Sequence, residues 1–216
     1  MTVKGKSPLP SFFLGERKMG QYYITAVKKQ GNVRWKKFSS DGGVKLMEHS
    51  YIGNYFCNAI CAMLYKTPSY IVWCGDYYES DNEDCKHTPS YSSDKQGYNK
   101  KNIWGLNVKD QHASDETFDV KGKYLINLDT KEYIDFTEYC EAASIGQFAE
   151  DGWAVHPLPL LTANSNGQGG GDYCQEYPNF DMCGMWSDCL LVIDDNVPDG
   201  FTKRSDIFFA EMCHAQ

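Results

Sequence analysis

The chain has 216 residues, of which 42% are hydrophobic and 23% charged, and a formal net charge of −8. That is apolar residue enough for one ordinary core and too much for a disordered chain, and no Pro/Gly/Ser-rich linker divides it. The acidic balance argues against a general grip on nucleic acid, because such affinity rests on neutralising phosphates.

Fifteen Tyr, eleven Phe and five Trp favour strands and pocket walls over a helical bundle. Nine cysteines, an odd number at irregular spacing, follow no secretory leader pattern. The apolar run Ser11-Phe12-Phe13-Leu14 is too short to span a membrane. Reduced thiols, a cytoplasmic location and no membrane partner are the expectations. Residues 1–45 carry ten Lys and Arg against Glu16 and Asp41, so the basic charge is concentrated at the start of an otherwise acidic chain.

Residues 1–18 mix Lys4, Lys6, Pro8 and Pro10 without a period and end in Gly15-Glu16-Arg17-Lys18 directly before Met19. Gly-Glu-Arg is what a purine-rich ribosome-binding sequence reads as when translated. Met19 is therefore expected as the true start, with a poorly ordered leader before it and one globular domain over 19–216.

Two β-prone runs, Gln21 to Lys29 and Val33 to Phe38, flank Gln30-Gly31-Asn32 and predict a hairpin. Lys28, Lys29, Arg34, Lys36 and Lys37 stud that ribbon, as edge protection or as contacts for an acidic partner. From Tyr51 the apolar positions step by one and then three through Leu64, which predicts one principal amphipathic helix over about 50–66, capped by Ser50 and ended by Thr67-Pro68. Cys57 and Cys61 lie one turn apart on its flank. Tyr70 to Cys74 reads as a central strand running into Gly75-Asp76-Tyr77, and residues 79–102 as a long polar excursion.

A second hairpin is expected for Lys123 to Leu128 and Glu132 to Phe136 about Asp129-Thr130-Lys131, then a short helix from Thr137 to Ser144 with Thr137 as cap. A strand from Trp153 leads into a loop holding Asn164, Asn166, Gly167, Gly169, Gly170, Gly171 and Asp172. Glycine is that dense only where backbone takes positive φ or must let another group approach. Cys189 to Ile193 is a last strand, and Ile207, Phe208 and Phe209 are expected to close the core. This order lacks regular strand and helix alternation, so the fold class is α+β, a mainly antiparallel sheet with one principal helix packed on it.

Met19-Gly-Gln-Tyr-Tyr23, Lys45-Leu-Met-Glu-His-Ser50, Gly75-Asp76-Tyr77, and His156-Pro-Leu-Pro-Leu-Leu-Thr162 with the Gly169 to Tyr173 run occur in this order. Together they resemble a set of small uncharacterised bacterial and bacteriophage proteins, from Met19 to about Ile193. The resemblance implies no activity. A phage setting implies an inhibitor of a host defence protein acting in the host cytoplasm.

The polar residues of these blocks are the candidate site. His49 and His156 are the candidate bases, with Asp76 and Asp172 as their carboxylate partners. Glu48, Asn54, Tyr77, Asn164, Asn166, Gly169, Gly170, Gly171 and Tyr173 are the candidate ligand contacts. Loop amides suit a small phosphorylated ligand, but the Lys and Ser/Thr of a P-loop are missing. No metal or cofactor is implied. Cys85-Lys86-His87 has no second pair at zinc spacing, and Cys183, Cys189, Cys213 and His214 share no recognised spacing. Two functions compete. One is a non-enzymatic binding protein, for a host protein or a small polar, nucleotide-like ligand. The other is a hydrolase or transferase on a nucleotide-like substrate, using a His/Asp pair and the glycine loop.

Overall fold

The computed structural model describes residues 21–39, 44–76, 111–115, 117–144, 155–164 and 180–205. The leader, the 79–102 excursion with Cys85 and His87, Tyr77, Trp153, the glycine loop from Asn166 to Tyr173, Ile207 to Phe209, Cys213 and His214 lie outside the described residues.

The first hairpin pairs β1 (Tyr23–Lys29) with β2 (Lys36–Ser39), Thr25 opposite Phe38 and Val27 opposite Lys36. Its loop is longer than the three residues expected. Gly31 sits at φ 81°, the Gln30 amide bonds the Pro68 carbonyl at 2.9 Å, and pairing resumes only at Lys36. Side chains alternate across β1, so Tyr23 and Val27 enter the main core while Ile24 and Ala26 meet Trp35, Val72 and Cys74 on the other face.

The predicted principal helix starts later than expected, and a separate short helix precedes it. A short α1 (Leu46–His49) ends at Ser50, whose hydroxyl bonds back to the Leu46 carbonyl. Gly53 then turns the chain at φ 90°, and α2 (Tyr55–Leu64) starts from Asn54. The cap of α2 is thus Asn54 and not Ser50: its Oδ1 accepts from the Phe56 and Cys57 amides at 2.9 and 3.1 Å, two of the donors a helix start leaves unpaired. Phe56, Ala59, Ile60 and Leu64 are buried as the period required, and Cys57, Asn58 and Cys61 are buried beside them.

Next comes β3 (Ser69–Gly75), the centre of the sheet. One edge pairs with β1 along its whole length, from Tyr23 opposite Gly75 to Lys29 opposite Ser69. The other edge is divided. Ser69 and Tyr70 pair antiparallel with β8 (Leu190–Asp194), while Trp73 and Cys74 pair parallel with β7 (Ala163–Asn164).

The second hairpin is β5 (Tyr124–Asn127) with β6 (Glu132–Asp135), turned by Lys131 at φ 58°. β4 (Gln111–His112) and β9 (Thr202–Lys203) are short parallel edge strands on β2 and β6. Among the described residues the sheet has nine strands, in the order β4-β2-β1-β3-β8-β5-β6-β9 with β7 set on β3. The fold is α+β with an antiparallel-dominated mixed sheet. Among the described residues no helix is long and apolar enough to cross a membrane.

Two local expectations change. α3 (Phe136–Ser144) is capped by Asp135, whose Oδ1 accepts from the Thr137 amide at 2.9 Å, while the Thr137 hydroxyl accepts from the Gly122 amide instead. The strand expected through His156 shrinks to a single bridge between Val155 and Tyr51. His156 is the N-cap of α4 (Pro157–Leu161). Proline at the first helical position needs no amide partner and brings a helical φ, so it starts a helix where apolar content alone suggested a strand.

Candidate functional site

Three segments far apart in sequence meet beside α2. The His156 amide bonds the Ser50 carbonyl at 2.9 Å, and the Trp73 amide bonds the Thr162 carbonyl at 2.8 Å. His49 lies between them, 3% exposed.

The indole Nε1 of Trp73 donates to Nε2 of His49 at 2.6 Å. The two rings are within 17° of one plane with centroids 5.6 Å apart, an edge-to-edge arrangement that suits a hydrogen bond and not a face-to-face stack. Indole can only donate, so Nε2 of His49 is an acceptor and the ring proton sits on Nδ1. From there it is donated to the Lys45 carbonyl at 2.7 Å. Phe56 stands edge-on to both rings, 6.1 Å from His49 and 5.6 Å from Trp73.

His156 is fully buried. Its Nδ1 accepts from the Leu158 amide at 3.3 Å, which leaves the proton on Nε2, facing the Cys61 sulfur at 3.6 Å. Phe136 tilts over the ring at 5.3 Å. Both histidines are neutral. Burial lowers the pKa of His49 to about 4, against a smaller opposing effect of its bond to Lys45, and burial with nearby His49 lowers that of His156 to about 3. Burial likewise pushes the Cys57 and Cys61 thiols well up, so neither is a thiolate at neutral pH.

A general base must reach the proton it takes. In this arrangement each ring is shut away from solvent with both nitrogens occupied, and what the cluster does is join α1, α2, β3 and α4. Among the described residues no three His, Cys, Asp or Glu side chains are arranged to hold a metal ion.

The other candidates are spread between local fold work and one end of the sheet. The Glu48 carboxylate reaches back to the Lys45 amide at 3.0 Å, and Asn54 caps α2. Asp76 follows β3 directly. Its Oδ1 accepts from the Tyr22 amide at 3.1 Å, and its own amide bonds the Tyr22 carbonyl at 2.9 Å. Asn164 lies beside Cys74 in the parallel pairing, its Oδ1 held by the Ser187 hydroxyl. Gly75 makes this convergence possible: a Cβ there would stand 2.1 Å from Oε1 of Gln21 and 3.3 Å from the Asn164 carbonyl.

So the carboxyl ends of β3 and β7 finish side by side, with Asp76 and Asn164 at their tips. Tyr77, Asn166, Gly169, Gly170, Gly171, Asp172 and Tyr173 lie outside the described residues, so Asp172 has no stated place beside either histidine. Trp73, Cys61 and Ser187 were not singled out from sequence as partners. A Trp inside an apolar run and a Ser after a tight turn carry no local mark of what they will bond. Compared with protein-family models, with curated proteins and with solved structures, the chain matches none.

Proposed function

We propose that this protein works by binding and not by catalysis at its histidines, and that it presents the sheet end formed by β3 and β7 to a protein partner. One observation carries the reading: His49 and His156 are buried, neutral and hydrogen-bonded at both ring nitrogens. The residues that looked most like chemistry serve to fix the ends of β3 and β7, Asn164 is buried against Ser187, and the half-buried Asp76 carboxylate is what remains there for recognition. The resemblance to bacteriophage proteins makes a host protein, and within that class a defence component, the expected partner.

The test is affinity capture from bacterial lysate with wild-type protein and Asp76→Arg in parallel, joined to phosphorus NMR of nucleotides incubated with wild-type and His156→Gln. The reading expects a protein retained by wild-type and lost by a folded Asp76→Arg variant, and no nucleotide turnover. Equal retention by both proteins would remove the sheet end from recognition. Turnover that a folded His156→Gln variant abolishes would restore the hydrolase or transferase reading.

A further inference from the structure

The structure assigns a second docking surface: the loop of the β1–β2 hairpin, where exposed Lys29, Arg34 and Lys36 flank exposed Val33 along the chain, fits an acidic segment of another protein. It takes the reading of a binding protein as its premise and concerns a different part of the molecule. Val33 is 92% exposed, the most exposed large hydrophobic side chain among the described residues. An apolar residue left in water in a loop, with cations on either side of it along the chain, has the make-up of an interface anchor with a charged rim.

The cations stand out by what they do not touch. Elsewhere Lys66 and Lys123 are paired with Asp195, Lys203 with Asp135 and Glu138, and Arg204 with Glu132. Among the described residues no carboxylate comes within ion-pair distance of Lys28, Lys29, Arg34 or Lys36. The loop is also held in shape. Its Gln30 amide is tied to Pro68, and the Lys28 ammonium lies 5.2 Å from the Trp35 ring centroid and 4.8 Å from that of Tyr70.

Three occupants compete for such a surface. A nucleic acid would use the cations, but of the two nearby rings Trp35 is buried and each has Lys28 over one face, and Val33 gives a phosphate backbone nothing. A second copy carries a net charge of −8 like the first, so the copies repel. An acidic protein segment with an apolar residue among its carboxylates matches both the charge and the exposed Val33.

β1 runs from Tyr23, opposite Gly75, to Lys29, opposite Ser69. The hairpin tip therefore lies roughly 20 Å of extended chain from Asp76, so substitutions at one surface leave the other intact. The probe is a fluorescein-labelled peptide of Glu and Asp with one central Leu, read by fluorescence anisotropy at low and physiological salt. A single-stranded oligonucleotide of equal charge is run beside it.

The wild-type protein should bind the peptide more tightly than the oligonucleotide. Lys29→Glu/Arg34→Glu/Lys36→Glu should weaken the peptide about tenfold, and Val33→Ser about threefold. Asp76→Arg should leave peptide binding unchanged, so a failure at the sheet end and a failure here are told apart. No peptide binding by wild-type, loss on charge reversal without any effect of Val33→Ser, or tighter oligonucleotide binding each overturns the proposal. So does salt-sensitive self-association, seen in sedimentation, that the charge reversal removes.

Discussion

Trp73 holds His49 in one tautomer: the indole NH points at Nε2 of the imidazole across 2.6 Å, inside a core where Trp73 is fully buried and His49 nearly so. A buried polar pair of this kind is expensive to break, because the survivor is left without water or partner. Through it the strand that centres the sheet is tied to α1, and α1 to the helix that packs against both.

Trp73→Phe should therefore destabilise the protein by about 1–3 kcal/mol from the orphaned acceptor alone, with a further cost for the smaller ring. Urea titrations of Trp73→Phe, His49→Leu and the double variant measure the pair directly. The double variant should cost less than the sum of the singles by about 1 kcal/mol or more. Strict additivity would mean that the bond contributes nothing.

Acid should loosen the fold before the carboxylates titrate. Both histidines have folded pKa values below the ordinary 6.5, about 4 for His49 and about 3 for His156, so the unfolded chain binds more protons across that interval. Stability is then fully present above pH 6.5 and is lost as pH falls through 6.5 toward 4 and 3. Asp115 and Asp195, whose pKa values are lowered below 3.8, add their loss only at more acid pH. Urea midpoints between about pH 7 and 5 isolate the histidines, and His156→Gln should flatten that slope. A midpoint that does not fall over this interval would contradict the buried neutral rings.

Asn54→Ala should cost about 0.5–2 kcal/mol, since Oδ1 satisfies two amide donors at the start of α2. Asn54→Asp keeps the acceptor and should cost little. Thermal unfolding of the pair separates a capping role from a recognition role for this residue, which the sequence alone placed among ligand contacts.

Gly184 and Gly122 both take positive φ, 80° and 74°, but only one is crowded. A Cβ at Gly184 would lie 2.4 Å from the Ala163 carbonyl oxygen, whereas at Gly122 it meets open space. Gly122→Ala should cost about 1 kcal/mol for the left-handed backbone. Gly184→Ala should cost several times that, because backbone must shift, and the shift falls on β7 beside Asn164. Equal melting temperatures for the two variants would show that Gly184 and β7 are not packed this closely.

Much of the framework was legible from residue order. A β-prone run marked β1, the turns at Gln30-Gly31-Asn32 and Asp129-Thr130-Lys131 marked the hairpins, and the apolar run marked β3, because local propensity and burial point the same way in those places. The misreadings have local causes of another kind. Ser50 and Asn54 are both good caps, and Gly53 decides between them by turning the chain. His156-Pro157 looked like a strand because its flanks are apolar, whereas proline at the first helical turn starts α4.

By itself the sequence determined the fold class, the central place of Tyr70 to Cys74 and the excess of cations on the first hairpin, since each follows from period, composition or charge along contiguous residues. Only the tertiary structure decided that His49 and His156 are buried structural groups, that Gly75 packs closely against Gln21 and Asn164, and that β7 joins β3 in parallel. A histidine's protonation and reach depend on which donor, acceptor or void stands opposite, and those neighbours, Trp73 for one ring and Cys61 for the other, come from elsewhere in the chain.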